Sequence, residues 1–364
     1  MDSPFKIPFY AKAALIFISV LAFVYILKIG QGIIIPILFA TIAAILINPF
    51  VNYLIRKKFN KLIAISIAVL LSIFFVLIIL YFVSSQLSMF SETYPQLKEK
   101  FNVTSTELVH WISEKFKIRE SKIYEWLSAT QAEAINNFAI GEKLSEVGRM
   151  IIIGMLLPVY LFMILYYKSL LLEFINKLFR SEYRTAVLEI LLNIKRIIQS
   201  YLIGLFFEMI IIATLNSVGL LLLGIDYAII LGIMGAIVNI IPYIGGIVAI
   251  ALPMIIAFVT KDSVTYSIMV FFVYTFIQFV DNHYIIPNIV ASRVKINALI
   301  SVIVVLIGNA IWGIPGMFLS IPVTAIIKVI FDHIEPLKAW GFLLGNNVPT
   351  ATRYSFNKQK KIQL

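Results

Sequence analysis

The sequence has no cysteine, only three histidines (positions 110, 283 and 333), and charge on only 13% of its residues. Without cysteine there is no disulfide, no thiolate metal site and no cysteine nucleophile. The three histidines show no metal-ligand spacing, so no metal centre is expected. Also missing is a glycine-rich phosphate loop closing on Lys-Ser or Lys-Thr, so a built-in nucleotide motor is not expected. No nucleophile–base constellation stands out, which argues against an enzyme, a catalytic residue or a cofactor. The scarcity of charge carries the most weight. A soluble domain has charge on about a quarter of its residues. With 61% hydrophobic residues among 364, this chain has more apolar side chain than a soluble fold of that length covers. The lipid bilayer is the expected partner for the remainder.

A bilayer core about 30 Å thick needs roughly 20 helical residues. Apolar runs at 13–28, 32–54, 62–83, 150–167, 201–223 and 264–281 are candidate crossings. Two further runs, 228–259 and 298–331, are interrupted by proline and glycine. Proline lacks the donor a helix interior needs, and glycine favours non-helical backbone. The halves of these runs are mostly short for a crossing at about 1.5 Å per residue. The expected fold class is all-α, a polytopic integral membrane protein with about six full transmembrane helices and two broken re-entrant hairpins. The organisation reads as three N-terminal helices in 1–83, an extracytoplasmic amphipathic segment in 84–149, a transport core in 150–335 and a basic tail in 336–364.

Net charge is +11, yet the basic residues sit between apolar runs and form no stripe with interleaved aromatics, so nucleic acid is not an expected partner. Alternating crossings put Lys6 and Lys12, then Arg56, Lys57, Lys58 and Lys61, on one side. Lys168, Lys177, Arg180, Arg184, Lys195 and Arg196 fall on that side too, as do Arg293, Lys295 and the tail residues Arg353, Lys358, Lys360 and Lys361. The positive-inside rule makes this side the cytoplasm and predicts a multi-pass protein with both termini cytoplasmic. In the outer segment, Leu87, Phe90, Tyr94, Leu97 and Phe101 recur every three or four residues. Thr104 and Glu107 resemble a capping box opening a second helix, whose Trp111, Ile112, Trp126 and Leu127 would face a partner. The segment reads as a helical cap, or as a gate or contact in a homo-oligomer.

Ionisable and amide groups inside apolar runs are costly and are functional candidates. Glu208 lies about two turns into the fifth run; Asn216, eight residues on, reads more readily as an interhelical hydrogen bond. Gln278, Asp281 and Asn282 share one helical face at i, i+3 and i+4, suiting a cation or a hydroxyl-rich ligand, with His283 beside them. The alternative is that this group only ends a helix at the headgroups. The two broken runs offer Asn239, Pro242, Tyr243, Gly245 and Gly246 as one tip, and Asn309, Trp312, Gly313, Pro315 and Gly316 as the other. Bare backbone at membrane depth is tolerated only beside protein or a watery cavity, so the tips are expected to shape a polar site between them.

The run Asn239-Ile-Ile-Pro-Tyr-Ile-Gly-Gly246 is followed by Pro253, Gln278, Pro287-Asn-Ile-Val-Ala-Ser-Arg-Val and Trp312-Gly-Ile-Pro-Gly-Met-Phe-Leu-Ser-Ile-Pro322. With Tyr201-Leu-Ile-Gly204 and Gly224-Ile-Asp-Tyr-Ala228 before it, this order resembles the autoinducer-2 exporter family of predicted permeases. The resemblance implies seven or eight membrane helices in a bacterial inner membrane. It also implies export of autoinducer-2 in some members and sodium– or lithium–proton antiport in others. The expected function is a secondary transporter exporting a small polar solute, with coupling to H+ or Na+. Monovalent cation–proton antiport is the first alternative and a non-transporting envelope scaffold the second.

Overall fold

The computed structural model describes residues 8–117, 119–121, 125, 154–242, 244–261, 263–291 and 294–346. Tyr243, Lys6, Trp126, Leu127, Arg293 and the tail basics lie outside the described residues, as do the side chains of Leu87, Phe90, Tyr94, Leu97, Phe101 and Trp111. The described residues form helices and short turns, with one isolated bridge between Ile296 and Gly345. In chain order the helices are α1 (Phe9–Ile29), α2 (Gln31–Arg56), α3 (Lys61–Phe116), α4 (Gly154–Tyr166) and α5 (Lys168–Leu178). Then come α6 (Arg184–Leu222), α7 (Ala228–Asn239), α8 (Ile244–Thr260), α9 (Thr265–Val280), a π-helical segment (Asp281–Ala291), α10 (Ala298–His333) and α11 (Lys338–Leu344).

Six described helices are long and apolar enough to cross a bilayer, and α4 with α5 makes a seventh only if that pair, bent by 63°, counts as one span. Large apolar side chains cover the outside: α1 has no buried residue at all. Such a surface is stable only in lipid or against another protein, so the chain is an all-α, multi-pass membrane protein. Inside, small residues set the spacing. Ala40 and Ala44 of α2 meet Ala64, Ile65 and Ala68 of α3 and Leu161 of α4 in one buried cluster. Side chains this small let helix backbones approach, which is how helices associate where lipid is as apolar as the core.

The two broken runs fold back on themselves. In the first, α7 and α8 are antiparallel, and Gly245 lies so close to Val238 and Asn239 that a Cβ there would collide with backbone. The arms have 12 and 17 residues, roughly 18 and 26 Å at about 1.5 Å per residue, and neither matches a full crossing. In the second, α10 is not one rod. Gly313 has φ 64° and ψ −142°, a conformation that is essentially glycine's alone, and the chain reverses there. Gly308 and Gly316 touch backbone to backbone across the hairpin.

The hairpins enter from opposite ends. Hairpin α7–α8 starts at the end of α6 far from the basic clusters, and its turn points toward them. Hairpin α10 starts at the basic end, and its tip reaches the last turn of α1, where the Trp312 indole N–H donates to the Leu27 carbonyl at 2.9 Å. Asn297 fixes the base of α10. Its side chain accepts from the Ile300 N–H at 2.9 Å and donates to the carbonyls of Leu343 (2.7 Å) and Gly345 (3.0 Å). Asn297→Ala removes the cap and the tie to α11 together. It is expected to cost about 1–2 kcal/mol, read as a lowered melting temperature in detergent.

Helix α3 departs from the sequence reading. It runs unbroken through Thr104, so no second helix opens at that capping pattern. An opening cap needs non-helical backbone at its first residue, and here the chain is already helical. The helix ends at Lys117, in the left-handed region at φ 53°. Just before this end, His110 faces Glu120 at 3.2 Å and Glu114 at 3.7 Å. The hydrogen bond to Glu120, then the charge of Glu114, raise the imidazole above its ordinary value. A raised folded value means the contact contributes fully below about 6.5 and is lost as pH rises through the higher value. Amide exchange around 110–120, corrected for intrinsic rates, is therefore expected to quicken from pH 6 to pH 8.5. Glu120→Gln should abolish most of that difference.

Candidate polar site at the first hairpin

Helix α6 is the central element. Ile198, Tyr201, Gly204, Glu208, Ile212, Asn216 and Leu220 are buried along one face, at the spacing of a helix stripe. Glycines draw its neighbours in. A Cβ on Gly204 would stand 2.8 Å from the Ile289 carbonyl oxygen of the π segment, and Gly232 of α7 lies directly on Ser217. The Tyr-x-x-Gly stretch is thus the crossing point between α6 and the π segment at Ile289 and Val290, with Tyr201, Val290 and Val294 in one apolar cluster.

Asp281 sits where α9 passes into the π segment and is fully buried. The candidate span containing it is Thr265–Val290, so Asp281 lies within the crossing, not at its end. Sixteen residues of α9 separate it from the opposite end, about 24 Å at 1.5 Å per residue. The cluster therefore stands inside an apolar helical run that continues past Asp281 to Val290. Asn239, the last residue of α7, donates from Nδ2 to Asp281 Oδ2 at 2.9 Å, and Gln278 Nε2 approaches the same oxygen at 3.5 Å. Gly246 makes room for this: a Cβ there would fall 2.6 Å from Gln278 Oε1. In the Asn-Ile-Ile-Pro-Tyr-Ile-Gly-Gly run, Asn239 supplies the donor, Gly245 the tight turn and Gly246 the berth for Gln278.

Several buried polar atoms have no hydrogen-bond partner among the described residues: Asp281 Oδ1, Glu208 Oε2, Asn216 Oδ1 and the Tyr274 hydroxyl. Glu208 and Asp281 are both buried, on α6 and on the π segment that packs against it. Asn216 Nδ2 and the Tyr274 hydroxyl both lie against Gly235 of α7. Leaving a buried polar atom unsatisfied costs about 1–3 kcal/mol. A group of such atoms from α6, α9 and the start of the π segment therefore favours a proton, a monovalent cation or a hydroxyl-bearing solute that would satisfy them.

The structure gathers only some of the residues singled out in the sequence. Glu208, Asn239, Gly245, Gly246, Gln278 and Asp281 come together. Asn282 does not: it is exposed. The π turn begins at Asp281 and holds more residues than an α turn, so the i, i+4 register with Gln278 fails there. His283 is also exposed, with Nδ1 on the Phe279 carbonyl at 2.9 Å and its ring stacked on Phe279. Pro242 is half-buried in the turn. In the second hairpin Asn309 is exposed, Trp312 bonds to α1, Gly313 makes the reversal, Pro315 is half-buried and Gly316 packs on Gly308. The two tips do not frame one cleft. Hairpin α7–α8 packs on α6, α9 and α3, whereas α10 packs on α1, α2, α6 and α11. Tyr274 is a further member that the sequence reading missed. It lies one turn before Gln278 on the same face, and that spacing was its only signal.

The family profile described as AI-2E family transporter matches residues 15–335. YueF of Bacillus subtilis is 30% identical over 161 residues, 44% of this chain and 43% of YueF. The first three relatives are each matched over only about two-fifths of their length. Two matches are longer. TqsA of Escherichia coli K12, named an AI-2 transport protein, is 23% identical over 84% of this chain and 88% of its own length. A Haemophilus influenzae protein is 24% identical over 88% of this chain and 92% of its own.

Proposed function

The chain belongs to the AI-2E transporter family, and from that premise we propose that it is a secondary transporter that exports a small polar solute. The observation that supports this most is the buried row of unpartnered polar atoms around Asp281 and Glu208, at the turn of a hairpin too short to cross the membrane. The solute would exchange hydrogen bonds with Asp281, Asn239, Gln278, Asn216 and Tyr274, and Glu208 would carry the coupling proton. Autoinducer-2, a small hydroxylated molecule, fits this donor set, and TqsA carries that substrate in its name. The basic end of the bundle faces the cytoplasm of a bacterial inner membrane, with both termini there. Alternating access would follow from hairpin α7–α8 moving against α6, with the close approaches of Gly232 to Ser217 and Gly235 to Asn216 as the sliding surface.

A second reading is favoured by the burial of two carboxyl groups, Glu208 and Asp281: exchange of Na+ or Li+ for protons, with both side chains as ligands. Flux through the purified full chain in proteoliposomes tests both. A pH gradient is imposed, and autoinducer-2, Na+ and Li+ are followed separately. Gradient-dependent movement of the organic solute is the expected result. Ion movement without it selects antiport, and no movement of any of the three overturns transport by this site.

A further inference from the structure

A cavity of about 410 Å³ lies at the basic end, between α2, α4, α5 and α6, and is separate from the Asp281 site. Its size falls in the range of about 300–1,000 Å³ typical of ligand pockets. The wall is apolar, with Ile45 of α2, Leu165 of α4 and Leu191 of α6. The rim is basic, with Lys168, Arg184 and Lys195. Helix α5 turns away from α4 by 63° and has no buried residue; Leu170, Phe174 and Leu178 make an exposed apolar stripe at i, i+4 and i+8. That is the form of a helix lying in the plane of the membrane surface, which puts the rim at headgroup depth.

Among the described residues the rim cations have no acidic partner. The Lys168 ammonium donates to the neutral Asn48 Oδ1 at 2.9 Å. Lys61, nearby, donates to the Tyr166 carbonyl at 2.8 Å, and Glu173 is taken by Lys177 at 3.5 Å. None of Lys61, Lys168, Arg184 and Lys195 joins a salt bridge among the described residues. Burial, and then the charges of Lys195 and Lys61, hold the Lys168 amine below the ordinary lysine range.

We propose that this cavity binds an anionic phospholipid of the surrounding leaflet. Its phosphate sits among Lys168, Arg184 and Lys195, and one acyl chain lies along Ile45, Leu165 and Leu191. The headgroup supplies the missing counter-charge and the chain fills a cleft that opens to lipid, a combination no soluble anion offers.

Native mass spectrometry of the full chain in detergent tests this, with phosphatidylglycerol, phosphatidylcholine and inorganic phosphate as probes. The wild type is expected to retain phosphatidylglycerol about tenfold or more over phosphatidylcholine, and Lys168→Gln with Lys195→Gln should bring the ratio to near unity. Leu191→Trp, which narrows the apolar wall and leaves the rim cations in place, should lower retention of both lipids. Arg184→Gln serves in place of the double variant if that one unfolds. Equal phosphatidylglycerol retention by the wild type and these variants overturns the proposal. So does its displacement by millimolar phosphate, which would make the site one for a free anion.

Discussion

Asp281→Asn is expected to lower gradient-driven flux in proteoliposomes at least about tenfold, with the protein still folded. The carboxyl holds Asn239 through one oxygen and presents the other, unpartnered, to whatever is carried. The amide keeps the shape and gives up the charge. A hydrogen bond to a charged group contributes about 1.5–3 kcal/mol, or roughly ten- to a hundredfold in an equilibrium constant. The amide can keep its oxygen toward the Asn239 donor, but it then presents N–H donors where the carboxylate presented an acceptor. Glu208→Gln should lose coupling to the pH gradient more than it loses passive movement of solute. If both groups serve one site, the double variant should be little worse than the poorer single one. Wild-type flux in Asp281→Asn would remove this site from the pathway.

Gly316→Val should be the most damaging substitution to the fold. Gly316 and Gly308 meet backbone to backbone in the α10 hairpin, with Trp312 and Ser320 around them, so a side chain forces the arms apart. Overpacking of this kind costs about 1–3 kcal/mol and more when backbone cannot yield. The arms hold Leu319 against Ile35 and Ile42 of α2 and Ile198 of α6, so their separation would spread to the centre of the bundle. The expected readout is a large loss of folded material and of melting temperature in detergent. Gly32→Ala is the contrast: nothing lies within 4 Å of a Cβ there, and the added methyl should be neutral or slightly stabilising. Equal stability of the two variants would mean that the close crossing is not what holds the hairpin shut.

Hydrophobic amount and the placement of proline and glycine made the class and both hairpins legible before any coordinates. The breaks at 239–246 and 308–316 are local chemistry: a missing donor and a φ that only glycine tolerates act wherever they stand in the chain. The same local reasoning failed at Thr104 and at Asn282. At Thr104 the signal for a helix start was real but the chain was already helical. At Asn282 an α register was assumed where the backbone widens into a π turn, a change that no residue type announces.

The sequence by itself determined that the chain lies in a membrane, where it reverses, and that Glu208, Asn239, Gln278 and Asp281 carry unusual polarity for their surroundings. Hydropathy and backbone permission are properties of single residues and short runs, and they need no partner. Only the tertiary structure decided that the two hairpins stand apart, that Tyr274 and Asn216 join the first one, and that Lys168, Arg184 and Lys195 rim an apolar cleft. Those facts depend on which helices cross and at what depth. The crossings are set by glycine and alanine contacts between segments far apart in the chain, and no local pattern encodes them.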